Sequence, residues 1–228
     1  MKLIVIEGLD GAGKSTQIGL LKEWFTGNNL QCRYLHFPRT EAPYFGELVA
    51  RFLRGEYGDI NHVDPYLVAM LYAGDRKDAA NMIEAWLSEL YYVILDRYTY
   101  SNIAYQCAKT SSEAEAEKLK NWILKLEFDH FAIPKPDINI FLDVPFIFTE
   151  QKLINKRQGV DRSYLRGNPD IHESSLDFQK KVRQIYHSVA ATDDSLQVIC
   201  CQDADSGMLN PDEIFRLILS KLKEKNIL

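Results

Sequence analysis

Lys2-Leu3-Ile4-Val5-Ile6-Glu7-Gly8-Leu9-Asp10-Gly11-Ala12-Gly13-Lys14-Ser15-Thr16 is the stretch on which the reading of this chain turns. A continuous apolar run from Leu3 to Ile6 predicts a strand buried on both faces. Gly8 to Thr16 then fits G-x-x-x-x-G-K-[ST], with a helix expected from Lys14. The chemistry explains the pattern. Glycines let backbone N–H groups curl round phosphate oxygens, and a helix N-terminus adds partial positive charge. In such a loop the lysine, here Lys14, reaches the β- and γ-phosphates, and the hydroxyl, here Ser15, ligates Mg²⁺. Gly8, Leu9, Asp10, Gly11, Ala12, Gly13, Lys14, Ser15 and Thr16 are therefore the expected ATP-binding residues.

Working outward, four more apolar runs follow: Gln31–Phe37, Tyr91–Asp96, Ile138–Asp143 and Gln197–Cys201. Helical spacing lies between them, in Ile18/Leu21/Phe25 and in Leu119/Trp122/Leu126. Asp64-Pro65 and Asn210-Pro211 read as N-caps followed by a first-turn proline. Strands alternating with helices imply an α/β fold of the P-loop type: a doubly wound, five-stranded parallel sheet with flanking helices. With 228 residues and no repeat or linker, a single domain over 1–228 is expected. A magnesium ligand is expected at the end of a strand beside the loop. Asp96, followed by Arg97, is the favoured candidate, and Asp143 is the second.

Composition excludes other readings. Lys+Arg 27 against Asp+Glu 32 leaves a net charge of −5, which disfavours non-specific nucleic-acid binding. No apolar run approaches the roughly 18 residues of a membrane span. The first apolar run ends at Glu7, too soon for a secretory leader, so a cytoplasmic location is expected. The four cysteines (Cys32, Cys107, Cys200, Cys201) form no C-x-x-C pair and read as buried thiols. A GTPase switch is excluded. The one Asn-Lys pair, Asn155-Lys156-Arg157-Gln158, lacks the guanine-reading aspartate, and no D-x-x-G lies downstream of the phosphate loop. Lys152 to Arg166 carries five basic residues and one acid among glycines, and predicts a mobile cationic lid over about 152–173.

Phe37-Pro38-Arg39, Tyr72-Ala73-Gly74-Asp75-Arg76 and the block Asp96-Arg97-Tyr98-Thr99-Tyr100-Ser101-Asn102-Ile103-Ala104-Tyr105-Gln106 follow the loop in a recognisable order. Together with Lys135-Pro136-Asp137, Phe141-Leu142-Asp143 and the basic stretch at Asp161-Arg162, the chain resembles the thymidylate kinases over about residues 1–190. The resemblance implies dTMP + ATP → dTDP + ADP, with Mg²⁺, in a homodimer. It implies that Arg39 and Arg97 grip the monophosphate, as planar bidentate guanidinium suits. It further implies that Tyr72, where the family usually has phenylalanine, stacks on thymine, and that Arg76 reaches a base carbonyl. Asn102, with Ser101 beside it, would meet the base edge. Tyr105 would exclude a 2′-hydroxyl, Asp10 would meet the 3′-hydroxyl, and Phe37 would line the pocket.

One group of the family carries an arginine in the phosphate loop, and the other supplies basic residues from the lid. This chain resembles the second group, so Arg157 and Arg162 join Lys14 and Arg97 as expected catalytic cations. His172 and Glu173 are expected to be solvated or capping. Two alternatives remain open: another nucleoside or deoxynucleoside monophosphate kinase, or a P-loop protein that binds nucleotide without turnover.

Overall fold

The computed structural model describes residues 2–60, 62–154, 160–167, 170–173, 175–205 and 207–228; the side chains of 151–154, 160–162 and 173 are also outside the description. Five parallel strands, β1 (Leu3–Gly8), β2 (Cys32–His36), β3 (Tyr92–Asp96), β4 (Ile138–Asp143) and β5 (Leu196–Cys200), form one sheet in the order β2-β3-β1-β4-β5. All five expected strands are present, within a residue or two of their expected ends.

The alternation of side chains along each strand divides the core. Ile4, Ile6, Ile94, Ile140 and Leu142 face α1 (Lys14–Gly27) and α8 (Pro211–Glu224), where they meet Ile18, Leu21, Phe25, Ile214 and Ile218. Leu3, Val5, Val93 and Leu95 face the other way, onto Ala79, Ala80 and Ile83 of α3 (Pro65–Ser88). Phe141 shares that second layer with α4 (Thr99–Cys107), α5 (Glu113–Leu124) and α7 (Leu176–Ala190). A sheet covered on both faces requires continuous apolar strands, which is the pattern seen in the sequence.

Local signals were reliable where capping chemistry is local. Asp64 accepts from the Tyr66 amide at the start of α3, and Asn210 and Glu213 form a reciprocal capping box at the start of α8. The Leu119/Trp122/Leu126 stripe is only partly α-helical, because after Leu124 the chain widens into a π-helical turn, Lys125–His130. Two further helices, α2 (Phe45–Leu53) and α6 (Phe146–Ile154), complete the described elements, with short 3₁₀ turns at Val160–Leu165 and Ile171–Glu173. Helix α2 lies so close to α3 that a Cβ on Gly74 would come within 2.3 Å of the Phe45 ring, so only glycine fits there. All four cysteines are free, but Cys200 is exposed, against expectation. The strand end that carries it faces solvent beyond the core. Among the described residues no helix is long and apolar enough to cross a membrane.

Candidate active site

The phosphate loop leaves β1 at the carboxyl edge of the sheet. Gly11 and Gly13 both sit at φ +80°, a left-handed conformation that side chains with a Cβ adopt at a cost, and this turns the loop into α1. Gly13 caps α1 without a side-chain hydrogen bond, and no acid lies in the first turn. The leading N–H groups of α1 are thus available to an anion. Lys14 folds back over the loop, donating to the Leu9 carbonyl (3.1 Å).

A cavity of about 420 Å³ opens in front of this loop. Lys14, Ser15 and Asp96 line it together with Tyr72, Arg76 and Asn102, and Asp10, Arg97 and Tyr105 lie on the same wall. Arg97 directly follows β3 and has φ +66°, a strained conformation for a residue with a side chain. Its Nη2 donates to Asp10 Oδ1 (2.6 Å) and to the Tyr105 hydroxyl (3.3 Å), and its Nη1 donates to Ser101 Oγ (3.1 Å). Those bonds use three of its five donors, leaving two for a ligand. Tyr105 donates to Asp10 Oδ2 (2.8 Å). Burial alone would raise the Asp10 pKa. The Arg97 guanidinium, then Lys14 and the Tyr105 hydroxyl, overcome that and hold the carboxyl far below the usual carboxylate range.

Two expected substrate residues are engaged elsewhere. Arg39 lies beside the cavity rather than on its wall. Its Nε donates to Asp75 Oδ1 (2.9 Å) and its Nη2 to the Asp75 carbonyl (2.8 Å). The reason is that Asp75 is almost fully buried, and a buried carboxylate needs a cation. Ser101 is not free for a base edge either. Its hydroxyl donates to Glu7 in a short contact, meets Tyr186 Oη (2.9 Å) and accepts from Arg97. Phe37 is on the wall as expected, and Pro38, Thr40 and Glu41 extend it. Tyr72 is on the wall as a neutral phenol, since burial, then the Asp170 carboxylate, push its pKa well up.

Asp96 and Asp143 separate cleanly. Arg183 grips Asp143 with Nε and Nη2 (2.6 and 2.9 Å), and His187 Nε2 lies 3.1 Å away, so that carboxylate is spent on α7. Asp96 lies on the cavity wall, 3.4 Å from His36 Nδ1, and its Oδ1 is buried with no hydrogen-bond partner. Burial would raise its pKa, but Lys14 and His36 more than offset this and keep it ionised. An ionised, orphaned oxygen on the same cavity wall as Ser15 fits the hydration shell of a divalent cation.

Several buried residues that organise the cavity wall carried little sequence signal. Glu7, at 0% exposure, accepts from the Tyr98 and Ser101 amides (3.0 and 3.2 Å) and so caps α4 from a neighbouring strand. Glu127, also at 0%, holds Arg76 through two 2.6 Å bonds. Acids placed inside apolar segments were the only clue to either. From the lid, Asp170 accepts from Tyr164 Oη (2.9 Å), and both residues reach the cavity. His172 is neither solvated nor capping. Its ring is buried among Phe52, Tyr105 and Phe178, and burial, with Lys109 beside it, holds its pKa well below the ordinary value. Arg157 lies outside the described residues, as does the Arg162 side chain, and Arg166 is exposed.

Known proteins share the sequence pattern and the fold of this chain. The thymidylate kinase family model matches residues 6–205. A thymidylate kinase of Mycobacterium tuberculosis is 33% identical over 189 residues, 83% of this chain and 86% of that protein. A probable thymidylate kinase of Pyrococcus abyssi is 29% identical over 224 residues, covering 97% of this chain and 96% of the relative. Among solved structures, a thymidylate kinase from Candida albicans superposes with a TM-score of 0.73 at 26% identity, covering 99% of this chain and 92% of that one.

Proposed function

The chain belongs to the thymidylate kinase family, and from that premise we propose how its residues divide the transfer of a phosphoryl group from ATP to dTMP. The reaction is dTMP + ATP → dTDP + ADP, and the family are ATP-dependent kinases that generally need a divalent metal. The observation that carries the assignment of roles is one cavity lined both by phosphate-loop residues and by Tyr72, Arg76 and Asn102, with Arg97 bonded to Asp10 of the loop and to Ser101 and Tyr105 of α4.

Phosphoryl transfer depends on alignment and charge neutralisation more than on covalent help. Gly8–Thr16 holds the donor triphosphate. Lys14 swings from the Leu9 carbonyl to the β/γ-phosphates, exchanging one acceptor for a more strongly charged one. Arg97 grips the acceptor phosphate with its two remaining donors, while Arg39, tethered by Asp75, supports it from the side. Asp10, fixed by Arg97, faces the sugar. Tyr72 covers the base face, and Arg76 and Asn102 read its edge. Ser15 and Asp96, whose Oδ1 is buried without a partner, would hold Mg²⁺, which would supply positive charge to offset that of the donor phosphates. The acceptor is already an anion, so no strong general base is required. The 228 residues act as one domain, supported by a single sheet covered on both faces. A cytoplasmic location accords with four unpaired thiols. A homodimer accords with the exposed Leu67 and Met70, one turn apart on α3.

ADP release measured with each monophosphate tests the assignment. dTMP is expected to exceed dCMP in kcat/KM by about tenfold or more, because a cytosine amine would set a donor against Arg76. Equal specificity for dCMP would remove the base-pocket assignment, and absence of ADP release with every monophosphate would favour a binding-only protein. Sugar selection has its own test. Tyr105→Ala is expected to narrow the dUMP/UMP gap, whereas Tyr105→Phe, which keeps the ring, preserves it. An unchanged gap in Tyr105→Ala takes Tyr105 out of the sugar site.

A further inference from the structure

Glu127 belongs to the π-helical turn that ends α5, 51 residues from Arg76 in sequence. Its carboxylate accepts four hydrogen bonds, three of them from the cavity-lining residues Arg76 and Asn102. Oε2 accepts from Arg76 Nε (2.6 Å) and Thr99 Oγ1 (2.9 Å), and Oε1 accepts from Arg76 Nη2 (2.6 Å) and Asn102 Nδ2 (3.0 Å). Asn102 Nδ2 gives its second hydrogen to the Ala69 carbonyl (3.0 Å), and its Oδ1 is buried with no partner. A carboxylate and a carbonyl can only accept. The amide nitrogen of Asn102 must therefore face them, and the amide oxygen must be the end left over.

We propose that Glu127 is a positioning residue for base selection: it sets the hydrogen-bond polarity of the pocket, presenting Arg76 as donor and Asn102 as acceptor to the edge of the base. The inference rests on the reading that Arg76 and Asn102 meet the base. Thymine offers an acceptor at its 4-oxygen and a donor at N3, which complements that pair. Cytosine offers the reverse at both positions. Arg76 is 2% exposed and has Nη1 uncommitted to Glu127, so the fork clamped at one side aims the other. The π-helical turn is what brings the carboxylate under both partners at once, and such turns are often found at functional sites.

Glu127→Gln tests this. Each carboxylate oxygen faces an Arg76 N–H, so either orientation of a glutamine amide sets a donor against Arg76, and one orientation also turns the Asn102 amide over. The kcat/KM ratio of dTMP to dCMP is expected to fall on the order of ten- to a hundredfold. The fall should come through a higher KM for dTMP, with kcat and the KM for ATP near wild type. A residue that merely stabilised the fold would lower melting temperature and active fraction without moving the ratio, because active fraction cancels from it. If Glu127→Gln does not accumulate as folded protein, Glu127→Asp is read instead. Retracting the acceptor by one methylene is expected to lower the same ratio by about tenfold. An unchanged ratio in a folded variant overturns the proposal. Failure of the wild-type enzyme to prefer dTMP over dCMP overturns the base-pocket reading itself, and the two failures are distinct.

Discussion

Arg97→Ala is expected to lower kcat/KM for dTMP by about a thousandfold, the upper end of what loss of one preorganised charge-stabilising donor costs. Arg97 is central to the site in two senses. It is a cation on the cavity wall with two donors to spare, and it is the first of the partners that keep Asp10 ionised. Removing it takes away the proposed acceptor clamp and leaves the Asp10 carboxylate without its first partner. Arg97→Lys should recover only part of the loss, since a lysine cannot bridge Asp10, Ser101 and a phosphate with one planar fork.

A pH signature separates the two consequences. The folded pKa of Asp10 is depressed, so its stabilising contribution is complete above the unfolded carboxylate range, near 4, and is lost progressively as pH falls below it. Without Arg97, burial pushes that pKa back up, and the contribution shrinks or reverses sign. The melting-temperature gap between wild type and Arg97→Ala should therefore be widest near pH 7 and narrow below about pH 4. Thermal unfolding at both pH values checks it. A gap independent of pH would mean that the Asp10 pairing contributes nothing to stability.

The second large effect is expected in the lid. The phosphate loop contains no arginine, and Lys14, Arg76 and Arg97 are the lysine and arginine side chains on the described cavity wall. Arg76 is held by Glu127, and Arg97 keeps two donors beyond its bonds to Asp10, Tyr105 and Ser101, which are assigned to the acceptor phosphate; on the donor side Lys14 is the one lysine or arginine on the described wall. The described lid residues that reach the cavity, Ser163, Tyr164, Asp170 and His172, bring no cation, because burial keeps His172 neutral. Arg157→Ala or Arg162→Ala is therefore expected to reduce kcat by about 10²–10³, with dTMP affinity by calorimetry near wild type. Arg166→Ala, at an exposed position, should do less. If both inner substitutions leave kcat within a few-fold of wild type, the lid serves only to exclude water.

Much of the fold was legible because its determinants are local. The five strands are short apolar runs, the two proline-led N-caps sit within three residues of the groups they satisfy, and the loop glycines announce their own φ. The π-helical turn at Lys125–His130 was not legible, since an α stripe and a π turn share most of their apolar positions and only packing against α3 and α4 selects between them. The enclosure of His172 likewise needs three rings from α2, α4 and α7.

The candidate site divides along the same line. Sequence by itself determined that Gly8–Thr16 has the pattern of a triphosphate-binding loop, that the sheet is parallel and doubly wound, and which residues resemble those of the kinase pocket. It placed Arg39, Arg97 and Ser101 side by side as substrate contacts, with no means of ranking them. Only the tertiary structure decided that Arg97 faces the cavity, that Arg39 is tethered by Asp75, and that Ser101 serves Glu7. The physical reason is that a charge taken out of water must find a partner, and the partners of Arg97, Arg39 and Ser101 lie 87, 36 and 94 residues away along the chain. Residue type decides what a side chain can bind; which charges are left free to bind it is settled by pairings that exist only once the sheet has brought β1, β3 and α3 together.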